Sequence, residues 1–219
     1  MSLASRSETT ARPDYEQRLR EDRRWAMDEG DRFFQKSDSV FQTLRAIARR
    51  LDDLGVPYAV AGGMALNAHG FRRLTVDVDI LVTREGLRTI HERLDGLGYL
   101  PPFAQSKNLR DTDTGVRVEF LIAGDYPGDG KPKPIAFPDP ATIGVTIDGV
   151  RYLDLVSLVE LKLASGMTGG VHRLKDLADV VALIDALSLD EHLADRMNPF
   201  VRDRYVELHR AAQEGKREP

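Results

Sequence analysis

An α+β domain followed by a helical region is the fold that the sequence predicts, and three observations predict it. Strand-like segments fall between residues 58 and 153, helical periodicity takes over after residue 157, and an Asp-Gly turn at 148–149 joins two short β-type runs. The 219 residues, 42% hydrophobic and 30% charged, suit an ordinary globular chain with a sizeable core. A formal net charge of −4 argues against a protein built mainly to coat nucleic acid. The absence of Cys removes disulfides and thiolate zinc sites, and the five His never stand at a metal-binding spacing. With no long apolar run and no apolar segment near the N-terminus, no membrane span or signal peptide is expected, and a cytoplasmic location is the default expectation.

The elements follow in order. Residues 1–36 read as a charged N-terminal arm, partly mobile, whose aromatics Tyr15, Trp25, Phe33 and Phe34 can dock on a core, with Gly30 as an interruption. Val40, Phe41, Leu44, Ile47, Ala48, Leu51 and Leu54 keep the 3.6-residue period of a helix that Gly55 and Pro57 stop. "YAVAGG" is a short buried strand ending on a Gly pair, and "MALNAHG" opens a short helix. "GFRRLTVDVDILV", residues 70–82, alternates as a strand, with Arg73, Thr75, Asp77 and Asp79 on one face and Leu74, Val76, Val78 and Ile80 on the other. A helix capped by Thr83 covers residues 84–94, and "GVRVEFLI" is a further strand carrying Glu119. After a Gly/Pro-rich loop, "VTIDGVRYL" is a hairpin. Ser157 and Glu160 have the form of a capping box before "LKLASGM", and two more helices follow, the last beyond Asn198-Pro199. The chain therefore divides into the arm, an α/β core over 37–156, a helical region over 157–213 and a tail over 214–219.

Two acids side by side on a strand repel, which a protein tolerates where a cation offsets the cost. Hard carboxylate oxygens suit Mg²⁺ or Mn²⁺, so Asp77 and Asp79 are candidate metal ligands, although a solvent-facing polar edge gives the same pattern. Gly62 and Gly63, between a strand and a helix start, present free backbone N–H groups where an anion can sit, or form a simple tight turn. Glu119 is a third acid on a neighbouring strand, able to share a metal or accept a proton, or simply to pair with Arg117. Lys162 can aim its charge at phosphates or pair with Asp176 or Asp179, whereas Lys175 and Asp179 have the i,i+4 spacing of surface partners. Arg18, Arg20, Arg23, Arg24, Lys131 and Lys133 are either local phosphate contacts or a solvated charged face.

Together, strand, Gly-Gly, helix, "R-x-T-x-D-x-D" and a strand-borne Glu resemble the minimal nucleotidyltransferases of the DNA polymerase β-like superfamily. The form "GG-x-A … R-x-T-x-D-x-D … K-x-x-A … K-D-x-x-D" is closest to toxins of the AbiEii type and to antibiotic-modifying nucleotidyltransferases. It spans residues 41 to 184 and matches Gly62, Gly63, Ala65, Gly70, Arg73, Thr75, Asp77, Asp79, Lys162, Lys175, Asp176 and Asp179. The resemblance implies a mixed sheet flanked by helices, catalytic and metal-binding roles for Asp77, Asp79 and Glu119, and nucleotide contacts from Gly62, Gly63, Arg73, Thr75 and Lys162. It also implies an NTP substrate, a Mg²⁺ or Mn²⁺ cofactor and an acceptor that is tRNA, a small molecule or a protein. An antitoxin is then a candidate partner, and a non-catalytic nucleotide-binding module of the same fold is the alternative. Two positions depart from the family pattern: Met64 follows the Gly pair where Gly-Ser is usual, and Glu119 stands where Asp is commoner.

Overall fold

The computed structural model describes residues 14–215; the first thirteen residues of the expected arm and the last four residues of the expected tail lie outside them. The N-terminal arm forms two helices, α1 (Tyr15–Glu21) and α2 (Arg23–Phe34). Gly30 lies inside α2 and does not interrupt it, because a single helical glycine costs only ~1 kcal/mol and the flanking aromatics recover more by burial. Tyr15 and Phe33 are buried, and Trp25 packs edge-on to Tyr15 with ring centroids 5.4 Å apart. Buried Glu29 ties the arm down by accepting from the Tyr15 hydroxyl at 3.2 Å and from the Ser39 N–H at 3.0 Å.

Helix α3 (Ser39–Asp53) starts on an Asp38 cap, whose carboxylate accepts from the N–H groups of Val40 and Phe41. Its apolar stripe, Val40, Leu44, Ile47 and Leu51, is wholly buried, as the 3.6-residue period requires. Strand β1 (Tyr58–Val60) then leads straight into α4 (Gly62–Ala68). Strand β2 comprises only Asp77–Val82, shorter than the alternation over residues 70–82 predicts. The pairing explains the difference: β5 (Arg117–Ile122) begins opposite Asp77, so residues 71–76 have no ladder partner. Leu74 and Val76 are accordingly exposed, and Arg73 and Thr75 sit on an irregular approach to the strand. Thr83 caps α5 (Arg84–Leu94), as its sequence position indicates.

Two strands escape sequence reading, β3 (Tyr99–Leu100) and β4 (Leu109–Asp111), each too short to show alternation. The hairpin of β6 (Val145–Ile147) and β7 (Val150–Tyr152) turns at Asp148 and Gly149, both at positive φ. The seven strands form one mixed sheet in the order β3-β4-β5-β2-β1-β7-β6. β2 runs parallel to β5 and β1 parallel to β7, while the other neighbours are antiparallel.

The C-terminal part is helical: α6 (Leu155–Thr168), α7 (Leu174–Leu187) after a short 3₁₀ turn at Val171–Arg173, a second 3₁₀ segment at Glu191–Arg196, and α8 (Pro199–Gly215). The cap of α6 is Asp154, which accepts from the N–H of Ser157 at 3.0 Å, so Ser157–Glu160 is not the capping box. Glu160 instead accepts from the Asn198 N–H, joining α6 to the start of α8. Among the described residues no helix is long and apolar enough to cross a membrane.

Candidate active site

The parallel pairing of β2 and β5 decides where the acids go. Its register sets Asp79 opposite Glu119 and Asp77 opposite Arg117. Side chains in register on adjacent strands share a face at ~4.8 Å spacing, so Asp77, Asp79, Arg117 and Glu119 stand together on the face opposite buried Val78, Ile80, Val118 and Phe120. All four line a cleft of about 470 Å³, together with Gly62, Gly63, Arg73, Thr75 and Lys162. Every site residue expected from the sequence thus lies on one cavity.

The glycine pair is held tightly against the acids. Gly62 has φ +55, and a Cβ built there would overlap Oδ2 of Asp79; one on Gly63 would come 2.7 Å from the Cβ of Thr75. Thr75 in turn donates its hydroxyl to Asp77 at 2.8 Å, which fixes that carboxylate. Replacing Gly62 with Ala is expected to cost about 1–3 kcal/mol, from the left-handed backbone and from displacement of the Asp79 carboxylate. Urea unfolding of the variant checks this.

Asp79 is electrostatically unusual. Burial, followed by the charges of Asp77 and Glu119, pushes its carboxyl up to about 7, only partly opposed by Lys162 and Lys175. Such a group is an acid short of a cation. The donor set, three carboxylates converging on one cleft wall, fits a hard divalent ion such as Mg²⁺ or Mn²⁺. As arranged, no three His, Cys, Asp or Glu groups among the described residues are placed so that together they could hold a metal ion. Between the carboxylates lies a guanidinium: Nη2 of Arg117 is 2.7 Å from Oε1 of Glu119 and 3.5 Å from Oδ2 of Asp77. The ion pair considered for Glu119 is therefore present, alongside its approach to the two aspartates.

Lys162 also forms the ion pair. Its ammonium donates to Asp179 at 2.7 Å and to Asp176 at 3.1 Å, all three side chains being buried. Arg73 donates to the same Asp179 oxygen at 2.8 Å, and the Ser165 hydroxyl donates to Asp176 at 2.7 Å. This network staples the irregular segment before β2 to α6 and α7. It also corrects the view of Asp179 as a surface partner of Lys175: the acid points inward, where Arg73 and Lys162 meet it.

Sequence reading gives no site role to three ionisable residues of the cleft. Arg117 enters only as a partner for Glu119, and His172 and Arg173 carry no pattern at all, since a 3₁₀ turn places them on the rim beside Lys175. Two of the basic residues considered for phosphate contact have structural roles instead. Arg18 stacks on Trp25, 4.1 Å from the ring centroid. Lys133 is nearly buried and clamps its own loop through Pro127, Asp129 and Thr168.

No family model matches the chain, and no curated protein matches it. Solved structures do. The chain is similar to JHP933 from Helicobacter pylori, with 16% identity, 78% of this chain and 88% of that one covered, and a TM-score of 0.45. A candidate nucleotidyltransferase from H. pylori shows 17% identity over 78% of this chain and 91% of its own, with a TM-score of 0.43. ANT(2'')-Ia in complex with adenylyl-2''-tobramycin shows 12% identity over 80% of this chain and 97% of its own, also at 0.43.

Proposed function

We propose that the chain is a divalent-metal-dependent nucleotidyltransferase, which moves a nucleoside monophosphate from an NTP to an acceptor hydroxyl and releases pyrophosphate. The observation that carries this reading is the register that sets Asp79 beside Glu119, two strand positions from Asp77, against a glycine pair too tight for any side chain. Hydrolysis without an acceptor needs no second substrate space. Here a further hollow of about 520 Å³ adjoins the cleft, sharing Leu121 and Phe137 as walls, and an acceptor there would approach from the β5 side.

In this reading Asp77, Asp79 and Glu119 hold the metal, and Thr75 orients Asp77. The backbone at Gly62-Gly63 lies under the triphosphate, and Arg173 and Lys175, which also line the cleft, supply positive charge, with His172 beside them. When bound, a divalent ion neutralises charge on the pyrophosphate and makes the acceptor hydroxyl more acidic. The acceptor oxygen bonds to the α-phosphorus as the bond to the bridging oxygen of pyrophosphate breaks, and Glu119 takes the hydroxyl proton. Arg73 and Lys162, already engaged with Asp179, act on the pocket's shape and charge.

The test offers the protein each α-labelled NTP with total tRNA, aminoglycosides or candidate proteins, alongside Asp77→Ala/Asp79→Ala. Transfer that disappears in the double variant is expected; transfer that survives it overturns the assignment. The acceptor class that takes label separates a tRNA-directed toxin, whose cognate antitoxin would then be sought, from a resistance enzyme. A second reading is favoured by Arg117 itself: a nucleotide-binding module without turnover, its carboxylates permanently neutralised by the guanidinium. Nucleotide binding that is indifferent to Mg²⁺, with no pyrophosphate release, would identify it.

A further inference from the structure

Arg117 is the residue that the catalytic reading leaves unexplained, and its surroundings are two-sided. Toward the cleft, Nη2 meets Glu119 at 2.7 Å and Asp77 at 3.5 Å. On the same fork, Nε lies 3.7 Å from Oε1 of Glu16, just beyond hydrogen-bonding distance. That Nε is buried and has no hydrogen-bond partner. Glu16 belongs to α1 of the N-terminal arm and is itself anchored: its other oxygen accepts from Arg110 at 2.8 Å, and Arg110 also reaches Asp14 at 3.2 Å. The arm therefore presents a fixed carboxylate to the same guanidinium that meets the acids of the cleft.

A guanidinium cannot lose its charge. A divalent ion ligated by Asp77 and Glu119 would face it within a few ångströms in a partly buried setting, where like charges repel strongly. One of the two cations has to give way, and the buried, unpaired Nε of Arg117 lies 3.7 Å from a carboxylate oxygen of Glu16. Resting on the metal-dependent reading above, we propose that Arg117 is a resident stand-in for the metal, and that Glu16 on the arm is the partner that receives its guanidinium when the ion binds. In the absence of metal, Arg117 holds the carboxylates together against their mutual repulsion. On ion binding it shifts by roughly 1 Å toward Glu16, enough to bring Nε within hydrogen-bond range. The arm thereby becomes part of the metal site without touching the metal.

The experiment measures Mn²⁺ alone, by electron paramagnetic resonance titration of the full chain without nucleotide, so that turnover plays no part. Arg117→Met, which removes the competing charge, is expected to tighten Mn²⁺ about tenfold, and Glu16→Gln to weaken it about threefold. Arg117→Lys, which retains the charge, should stay near the parent, and circular dichroism confirms that each variant is folded. In Arg117→Met/Glu16→Gln the Glu16 effect should vanish, because that residue acts only through Arg117. Should Mn²⁺ bind the parent but bind Arg117→Met no more tightly, the stand-in role is overturned while the metal-dependent reading survives. A persisting Glu16 effect in the double variant likewise overturns the hand-over. If neither the parent nor Arg117→Met binds Mn²⁺, both this proposal and the metal-dependent reading fall.

Discussion

Asp79→Asn is expected to make the metal-free protein more stable at pH 8 while abolishing nucleotidyl transfer. The carboxyl is raised from 3.8 to about 7 by burial and by two neighbouring acids. Between about pH 4 and pH 7 the folded chain therefore holds a proton that the unfolded chain has lost, and stability falls as pH rises through that window. Above it the whole penalty is present, on the order of 2 kcal/mol after allowance for relaxation around the site. An amide cannot ionise, so the variant should melt roughly 4–8 °C higher at pH 8, with little difference near pH 4. Activity should fall by about 10³-fold or more with the loss of a ligand and its charge. Thermal melts of both proteins at the two pH values, without divalent ions, provide the check. An unchanged melting temperature at pH 8 would mean that Asp79 is well compensated and that no acid is left seeking a cation.

The second large effect lies behind the cleft. Lys162→Met is expected to destabilise the protein by about 3–5 kcal/mol, because it strands Asp176 and weakens the neutralisation of Asp179 in a buried setting. Arg73 still reaches Asp179 and Ser165 still donates to Asp176, so the lower end of that range is the better expectation. Adding Asp176→Asn should recover part of the loss, since the stranded charge goes with it. Guanidinium unfolding of the single and double variants measures both steps. A fully stable Lys162→Met with a raised KM for NTP would instead assign the lysine to phosphate binding.

How far these residues could be read from the chain alone depends on what each needs to be recognised. Asp77 and Asp79 declare themselves because strand periodicity puts them on one face, and the parallel partner strand brings Glu119 in register. The Gly62-Gly63 turn is legible because only glycine tolerates both its backbone and its neighbour. The early boundary given to β2 fails for a tertiary reason: alternation continues back to Gly70, but a strand needs a partner, and β5 supplies none before Asp77. Asp154 displaces Ser157 as the cap of α6 because the helix begins a turn earlier than the motif suggests. The inward turn of Asp179 is set by Arg73, 106 positions away in sequence, and no local spacing could reveal it. His172 and Arg173 reach the rim through a 3₁₀ turn that has no sequence period of its own.

The sole tryptophan of the chain is Trp25, and it sits on the arm between Tyr15 and Arg18. Nature has thus placed the one bright intrinsic fluorophore outside the sheet, in a spot whose polarity changes if the first two helices lift away. Emission wavelength would then track detachment of that segment, whereas far-ultraviolet ellipticity would track melting of the body. Comparing the two signals along a single heating ramp tells whether the leading segment departs first or leaves together with everything else.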